Sequence, residues 1–136
     1  MTSAEWDTIR WFKPREFYYH GSLIGAEKIE YWLVKRLDEW REEIGLPVYI
    51  HNGWGPRGSH DAKNSYHYIG LAVDCHIPGK NIQQQYELAK LRFNDGGIGV
   101  YPNWQPNGGL HVDLGPKRRW ACINGQYRGI DGVVTG

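Results

Sequence analysis

The sequence has few cysteines and no long apolar run. Only two of its 136 residues are cysteine, Cys75 and Cys122, which is too few for a disulfide scaffold and lacks the paired spacing of a sulfur-based zinc site. We therefore predict two buried thiols, with a single disulfide as the alternative. No segment is long and apolar enough to span a membrane, so no membrane partner is expected.

Neither sign of charge dominates. The formal net charge is +1, with 23% charged and 40% hydrophobic residues, a balance that argues against intrinsic disorder and against a strongly basic nucleic-acid binder. The first residues, Met1 to Asp7, show no basic start followed by an apolar stretch, so no secretory signal is predicted and synthesis in the cytoplasm is expected. The length, without repeats or a linker, predicts a single domain over residues 1–136, expected to be a monomer.

Two helices and four strands are predicted. Apolar residues three and four apart favour a helix over about Gly25 to Ile44 and a second over about Asn81 to Phe93. The residues predicted to face the core from the first helix are Ile29, Trp32, Leu33, Leu37, Trp40 and Ile44. The predicted strands are Val48 to Ile50, Gly70 to His76, Ile98 to Tyr101 and Leu110 to Leu114, and a long loop spans Asn52 to Asn64.

The order of these elements indicates an α+β fold. Strands that follow one another through loops, without repeated helical crossovers, are typical of a small, mainly antiparallel sheet flanked by helices. The Gly-rich tail after Trp120 receives no assignment. The long Gly, Pro, Asn and Ser-rich loop is the segment most typical of a functional loop in such a domain.

His67 and Asp74 form the first candidate metal pair. If His67 lies on the loop entering the strand and Asp74 on the polar face of that strand, both side chains converge on one ion. Gly70 and Ala72 between them would leave room beside it. Zinc accepts His nitrogen and Asp oxygen, and a catalytic zinc site needs a third protein ligand.

His111 supplies that third ligand. Side chains alternate between the two faces of the strand Leu110 to Leu114. Leu110, Val112 and Leu114 are predicted to face the core, whereas His111 and Asp113 share the other face. A carboxylate beside a zinc-bound water can take its proton as the water attacks a peptide carbonyl. Asp113 is predicted to be this catalytic base, with the alternatives of orienting a ligand or being a fourth ligand. The other histidines are predicted to be structural.

Four further residues are candidates for the site. Arg57, on the long loop, is predicted to pair with a substrate carboxylate or an oxyanion, the alternative being a solvated loop residue. Ser65, a candidate substrate-binding residue, either forms a hydrogen bond to a ligand residue or caps the turn before His67. Tyr101 and Trp104 are placed to line a substrate cleft, with packing as the alternative.

The pattern Ser65, His67, Gly70, Ala72 and Asp74 matches the SxHxxGxAxD motif of the zinc D-Ala-D-Ala carboxypeptidase-like cell-wall peptidases. The chain resembles the branch with HxD at the last ligand, through Gly97 to Pro102, Leu110 to Gly115 and Arg119-Trp120. The resemblance implies a fold shared with Hedgehog domains, one zinc ion on His67, Asp74 and His111, and hydrolysis of D,D or L,D bonds in peptidoglycan. For such an enzyme, the small size and the absence of a predicted signal peptide and wall-binding module suit a phage or prophage lysin, with a bacterial enzyme exported by an unusual route as the alternative.

Two departures from the family pattern keep a second function open. Many members carry a Glu three residues before the last His, where this chain has Gly108, and an Arg two residues closer to the turn than Arg57. The alternative is therefore an inactive binding module that keeps the metal site. A metal-free wall binder that uses the Trp and Tyr residues is a third possibility.

Overall fold

The computed structural model describes all residues, Met1 to Gly136. One six-stranded sheet, in the order β1-β2-β4-β3-β5-β6, carries helices beside it, which confirms the predicted α+β class. The strands are β1 Tyr49–Asn52, β2 Ala72–His76, β3 Gly97–Tyr101, β4 Gly109–Asp113, β5 Arg118–Ile123 and β6 Gln126–Arg128. The α-helices are α1 Ser3–Trp6, α2 Ile24–Lys28, α3 Tyr31–Ile44 and α4 Ile82–Phe93, and 3-10 helices span Pro14–Phe17 and Tyr66–Ile69.

The sheet is mixed, although antiparallel pairing prevails as predicted. β1 with β2, β2 with β4, β4 with β3, and β5 with β6 are antiparallel, whereas β3 and β5 run parallel. The central strands β2 and β4 are paired directly, with Asp74 opposite His111 and Ala72 opposite Asp113. The middle of the sheet therefore holds three of the residues predicted to carry the chemistry.

A cluster of 21 buried apolar residues holds the helices onto the sheet. Trp40 of α3 and Phe93 of α4 meet edge to face with ring centroids 5.4 Å apart, and the Trp40 indole donates to the Leu88 carbonyl at 2.8 Å. The buried indole thus keeps a hydrogen bond while its ring fills the core. None of the helices combines the length and apolar character needed to cross a bilayer.

Both cysteines are free and buried. Cys75 lies on β2, directly after Asp74 and on the opposite, core-facing side, and its burial raises the pKa of the thiol. The prediction of buried thiols is confirmed, and no disulfide joins Cys75 and Cys122.

The long first helix was wrong as predicted, because the chain breaks at Ile29. That residue is extended and buried, and the following Glu30 amide donates to the Gly70 carbonyl at 3.0 Å. α3 therefore starts afresh at Tyr31, and its buried stripe is Leu33, Val34, Leu37 and Trp40. Trp32, assigned to the core from its spacing, is 67% exposed because it lies about 100° around the helix from Leu33, outside the buried stripe.

The tail after Trp120 forms part of the sheet. β5 and β6 make a hairpin whose turn is Asn124-Gly125, both with positive φ (50° and 81°). This dipeptide is a strong hairpin signal, and it was the feature of the tail from which the hairpin could have been predicted. The parallel pairing of β5 with β3 has no comparable local signal.

Candidate active site

His67 sits on a short 3-10 helix that fixes its ring. The Ser65 hydroxyl accepts a hydrogen bond from the His67 amide at 3.1 Å and so caps this helix. The His67 Nδ1 lies 2.8 Å from the Gly53 carbonyl, to which it donates. With Nδ1 engaged by Gly53, Nε2 is the ring nitrogen that a metal could use. That atom lies 3.3 Å from Oδ1 of Asp74.

Gly70 serves a different purpose from the one predicted. It ends the 3-10 helix in the left-handed conformation, with φ 74°, and a Cβ at this position would overlap the carbonyl of Lys28. The glycine therefore lets the chain reverse against the end of α2, and does not leave room beside an ion. Ala72 is fully buried opposite Asp113 on β4.

Asp74 and His111 meet across neighbouring strands. The His111 Nδ1 lies 3.2 Å from Oδ1 of Asp74, the same oxygen that His67 faces, while Asn52 donates to Oδ2 at 3.3 Å. Burial by itself would raise the pKa of Asp74, but the hydrogen bonds with His111 and His67 outweigh it and hold this pKa well below its usual range. The buried carboxylate is thus negatively charged and turned towards two imidazoles.

Asp113 is enclosed by donors. Its side chain has no exposed surface. Oδ1 accepts from the amides of Gly97 (3.1 Å) and Gly115 (2.8 Å), and Oδ2 accepts from His111 Nε2 (2.7 Å) and Arg118 Nη2 (2.6 Å). Burial opposes ionisation, but these bonds, that of His111 foremost, lower the pKa of Asp113. Since a carboxylate has about four lone-pair positions, no position is left for a water molecule.

The Asp113 contact also sets the state of His111. With Nε2–H donating to Asp113, Nδ1 is the nitrogen left for a metal, as in the carboxylate-histidine-metal arrangement of many metal sites. Although burial lowers the pKa of His111, its hydrogen bonds with Asp113 and Asp74 prevail and raise it. A metal must therefore displace a proton from this ring.

Two separations between the donor atoms are those expected around a divalent metal. At zinc-nitrogen distances of about 2.0–2.1 Å, a tetrahedral site places neighbouring ligand atoms roughly 3.3–3.4 Å apart. The separations of 3.3 Å from Asp74 to His67 and 3.2 Å from Asp74 to His111 are close to this value. The three residues whose ligand atoms all lie within 4.8 Å of one another are His60, His67 and Asp74, so His60, predicted to be structural, joins the site, whereas His111 is connected to it through Asp74.

These residues form one end of an open cleft of about 520 Å³. Tyr101 and Trp104, the predicted cleft residues, do line it, stacked with ring centroids 4.2 Å apart. Ser65 lines it as well as capping the His67 helix. The remaining lining residues are Ser59, His60, Asp61, Ala62, His67, Asp74, His111, Arg118, Trp120 and Tyr127.

The guanidinium in the cleft belongs to Arg118, while Arg57 lies elsewhere. Arg57 donates to the Lys63 carbonyl at 3.3 Å and packs 5.6 Å over the Tyr68 ring, within its own loop. Arg118 is 44% exposed and stacks on Tyr66 and Trp120 while bound to Asp113. Strand alternation after the HxD segment gives Arg118 and Trp120 the same face, a signal that could have found both residues.

The segment that contains these residues is similar to known proteins. Residues 55–120 match the family model described as peptidoglycan L,D-endopeptidase MepK. This segment contains the motif around His67 and Asp74 as well as His111 and Arg118. The chain is therefore similar to this peptidase family over 66 of its 136 residues.

Curated proteins named as peptidoglycan L,D-endopeptidases are also similar to part of the chain. The peptidoglycan L,D-endopeptidase MepK of Escherichia coli K12 is 42% identical over 62 residues, which is 43% of this chain and 30% of that protein. The probable peptidoglycan L,D-endopeptidase MepK of Haemophilus influenzae is 41% identical over 62 residues, 46% of this chain and 31% of that protein. The match thus spans less than a third of the length of these relatives.

Proposed function

We propose that this protein is a metal-dependent peptidase that hydrolyses peptide bonds in peptidoglycan. The observation that carries the proposal is the convergence of His67 Nε2 and His111 Nδ1 on one oxygen of the buried Asp74, at the end of an open cleft. Similarity to relatives named as L,D-endopeptidases supports an L,D bond as the first substrate to test, with a D,D bond as the alternative.

We propose His67, Asp74 and His111 as ligands of a single zinc ion. Their two nitrogens and one oxygen suit zinc, and a bound zinc ion supplies Lewis acidity and lowers the pKa of water. Gly53 and Asp113 orient the two imidazoles through the ring nitrogens that face away from the ion. In hydrolysis, the water oxygen bonds to the carbonyl carbon as the C–N bond breaks, and the amine leaves with a proton.

Asp113 is better suited to orienting His111 than to catalysing proton transfer. Its two oxygens already accept four hydrogen bonds, and it has no exposed surface. The base role predicted from the sequence stays a prediction, and we propose the orienting role in its place. Gly108, where many family members carry a Glu, has a φ of 84° and adds no carboxylate to the cleft.

Substrate contacts are proposed for the cleft walls. Arg118 offers a cation to a stem-peptide carboxylate or to an oxyanion. The indole N–H of Trp120 is buried and makes no hydrogen bond within the chain, so it is a donor available to a peptide carbonyl. Tyr101 and Trp104 provide a stacked aromatic wall, and Arg57 supports the loop from outside the cleft.

The proposed role is tested by digesting purified peptidoglycan. The zinc-loaded protein is expected to release stem-peptide fragments whose masses identify the bond, and His67→Ala and Asp74→Ala are expected to release none. His51→Ala is the matched control, since this exposed histidine lies outside the set of ligands. Release of fragments by all four proteins would refute the site, and its absence from all of them, with zinc bound, would favour the inactive binding module.

The biological setting is also proposed. Action on the cell wall after phage-mediated release or non-classical export fits a peptidoglycan substrate, and the protein is proposed to act as a monomeric single domain. Lysis of cells by externally added protein, with the oligomeric state measured by light scattering, tests both statements.

A further inference from the structure

His60 lies against the metal-competent residues although it is outside the motif that identifies them. Its ring is parallel to that of His67, with centroids 3.8 Å apart and planes 4° from each other. His60, His67 and Asp74 are also the residues whose ligand atoms all lie within 4.8 Å of one another. The loop before the motif therefore brings a third imidazole to Asp74, in addition to those of His67 and His111.

Contacts on both sides of His60 hold this loop over the cleft. The His60 amide donates to the Tyr68 hydroxyl at 3.3 Å, and that hydroxyl lies 2.8 Å from the His60 carbonyl. The next residue, Asp61, accepts a hydrogen bond from the Tyr127 hydroxyl of β6 at 3.3 Å. The position of His60 is thus defined by packing against two other parts of the fold.

Gly55 allows the loop to fold back this closely. A Cβ at Gly55 would lie 2.5 Å from the Ser59 hydroxyl and 3.5 Å from Nε2 of His60. The Gly55 amide also donates to the carbonyl of His67 at 3.3 Å, which ties the start of the loop to the 3-10 helix. The absence of a side chain at Gly55 therefore allows His60 to lie beside His67.

The side chain of His60 faces the cleft. It is half-buried and lines the same cavity as His67, Asp74 and His111. Imidazole nitrogen is a common ligand of zinc. A half-buried histidine that faces the cleft next to two metal-competent groups has the chemistry of a ligand.

We propose that His60 is a fourth protein ligand of the metal in the resting site, beyond His67, Asp74 and His111. This inference rests on the proposed function for the presence of a metal. Because His67 is fixed by Gly53, His60 is the ring that tilts to bring its nitrogen onto the shared ion. Zinc sites with four protein ligands are closed, whereas catalytic sites keep one position open. The loop must then release His60 before a peptide is cut.

Counting the bound imidazoles tests the proposal without an activity assay. In the zinc-loaded, 15N-labelled protein, long-range 1H–15N correlation spectra are expected to show three metal-bound histidines, and His60→Ala is expected to show two. Chelator competition should give a zinc affinity at least about tenfold lower for His60→Ala, by comparison with the loss seen when an outer partner of a ligand is removed.

Two further variants separate ligation from packing. His60→Phe keeps a ring stacked on His67 but has no donor nitrogen, so it should lose zinc affinity as His60→Ala does. His51→Ala, at an exposed histidine outside the cluster, should retain three bound imidazoles and the original affinity. Two bound imidazoles in the unmodified protein would overturn the His60 proposal alone, whereas failure to bind zinc at all would overturn the metal site of the proposed function as well.

Discussion

The Nε2 of His111 lies 2.7 Å from Oδ2 of Asp113, and the Asp113 side chain is completely buried. This contact joins a proposed metal ligand to a carboxylate that is itself held by two backbone amides and Arg118. One residue separates His111 from Asp113 on β4. His111 lines the cleft, whereas Asp113 is buried and holds the His111 ring in place. The consequences of this arrangement can be measured.

Replacing Asp113 by Asn should weaken the metal site. The amide can no longer accept the charged Arg118 and the His111 N–H equally well, so we expect zinc affinity to fall by about 10–100-fold, as for other outer partners of ligating histidines. Chelator competition measures this change. Asp95→Asn is the control, because Asp95 is 77% exposed and its ion pair with Arg36 lies at the surface. Unchanged zinc affinity with a collapse of kcat would restore the base role of Asp113.

The two arginines considered for the substrate should behave differently. Arg118→Ala removes the cation that lines the cleft, and we expect kcat/KM on a stem peptide to fall by about 10²-fold or more if this group stabilises an oxyanion. Arg57→Ala should have a much smaller effect, since Arg57 contacts Lys63 and Tyr68 within its loop. Steady-state kinetics on a defined peptide compares them. The opposite ranking would return Arg57 to the site.

Arg118 also holds Asp113, so its substitution needs a second measurement. Zinc affinity of Arg118→Ala reports any loss transmitted through Asp113 and His111. Arg118→Lys retains a positive charge and should recover part of the activity. A loss of activity in Arg118→Ala that is restored fully by excess zinc would show that Arg118 acts through the metal site and has no direct role towards substrate.

Gly70→Ala should destabilise the fold. The residue has φ 74° and its missing side chain makes room for the Lys28 carbonyl. A left-handed conformation costs a residue with a Cβ about 1–2 kcal/mol, and the overlap with the carbonyl adds to this. Urea unfolding should therefore give a loss of free energy of unfolding above this range. Gly129→Ala is the control because the space around Gly129 is open and its φ is not positive; equal losses for both variants would contradict the assignment.

The metal-free protein should be most stable in mildly acidic solution. The pKa of His111 is raised in the folded state. Its contribution to the free energy of unfolding is therefore fully present below the pKa of an unfolded histidine, about 6.5, and is lost as the pH rises through the pKa of the folded state. The pKa values of Asp74 and Asp113 are lowered in the folded state. Their contribution to the free energy of unfolding is therefore present above about pH 4 and is lost as the pH falls through the pKa values of the folded state. His60, His67 and Arg118 are the other charged or titratable groups that face this cluster.

Bound zinc should reverse the loss of stability that the metal-free protein shows as the pH rises. Since binding requires neutral imidazoles, the stabilisation by zinc is expected to increase between about pH 5 and 8. Free energies of unfolding, measured by urea titration with and without zinc across this range, provide the check. His111→Asn should abolish the decline of the metal-free protein above about pH 6.5. A metal-free protein whose stability rises steadily through that pH would contradict the raised pKa of His111.

The spacing of apolar residues along the chain predicted those helices and strands that bury one regular face. Alternation along β4 correctly placed His111 and Asp113 on one face, and the helix over Asn81 to Phe93 was confirmed as α4, Ile82–Phe93. The break at Ile29 was missed because it depends on Gly70, distant in sequence, which accepts the Glu30 amide. The parallel pairing of β3 with β5 is likewise a long-range contact without a local signal.

Loop residues were the least predictable part of the site. Arg57 and His60 lie three positions apart in the same polar loop, and composition gives no means of telling which one faces the cleft. The distinction comes from tertiary contacts: Arg57 packs on the outer side of Tyr68, while His60 stacks on His67. Arg118 was missed because the strand β5, whose alternation places Arg118 and Trp120 on one face, was not predicted, and its contact with Asp113 joins two different strands.

The direct pairing of Asp74 with His111 on β2 and β4 has an evolutionary consequence. Their separation is set by the spacing of two hydrogen-bonded strands, which is nearly the same in every sheet, and it does not depend on the length or composition of any loop. The loop residues between Gly55 and His60 and the turn between β5 and β6 can therefore vary while the paired residues keep their distance. New substrate specificities can therefore arise through changes in these loops, while the pairing of β2 with β4 keeps Asp74 and His111 in register.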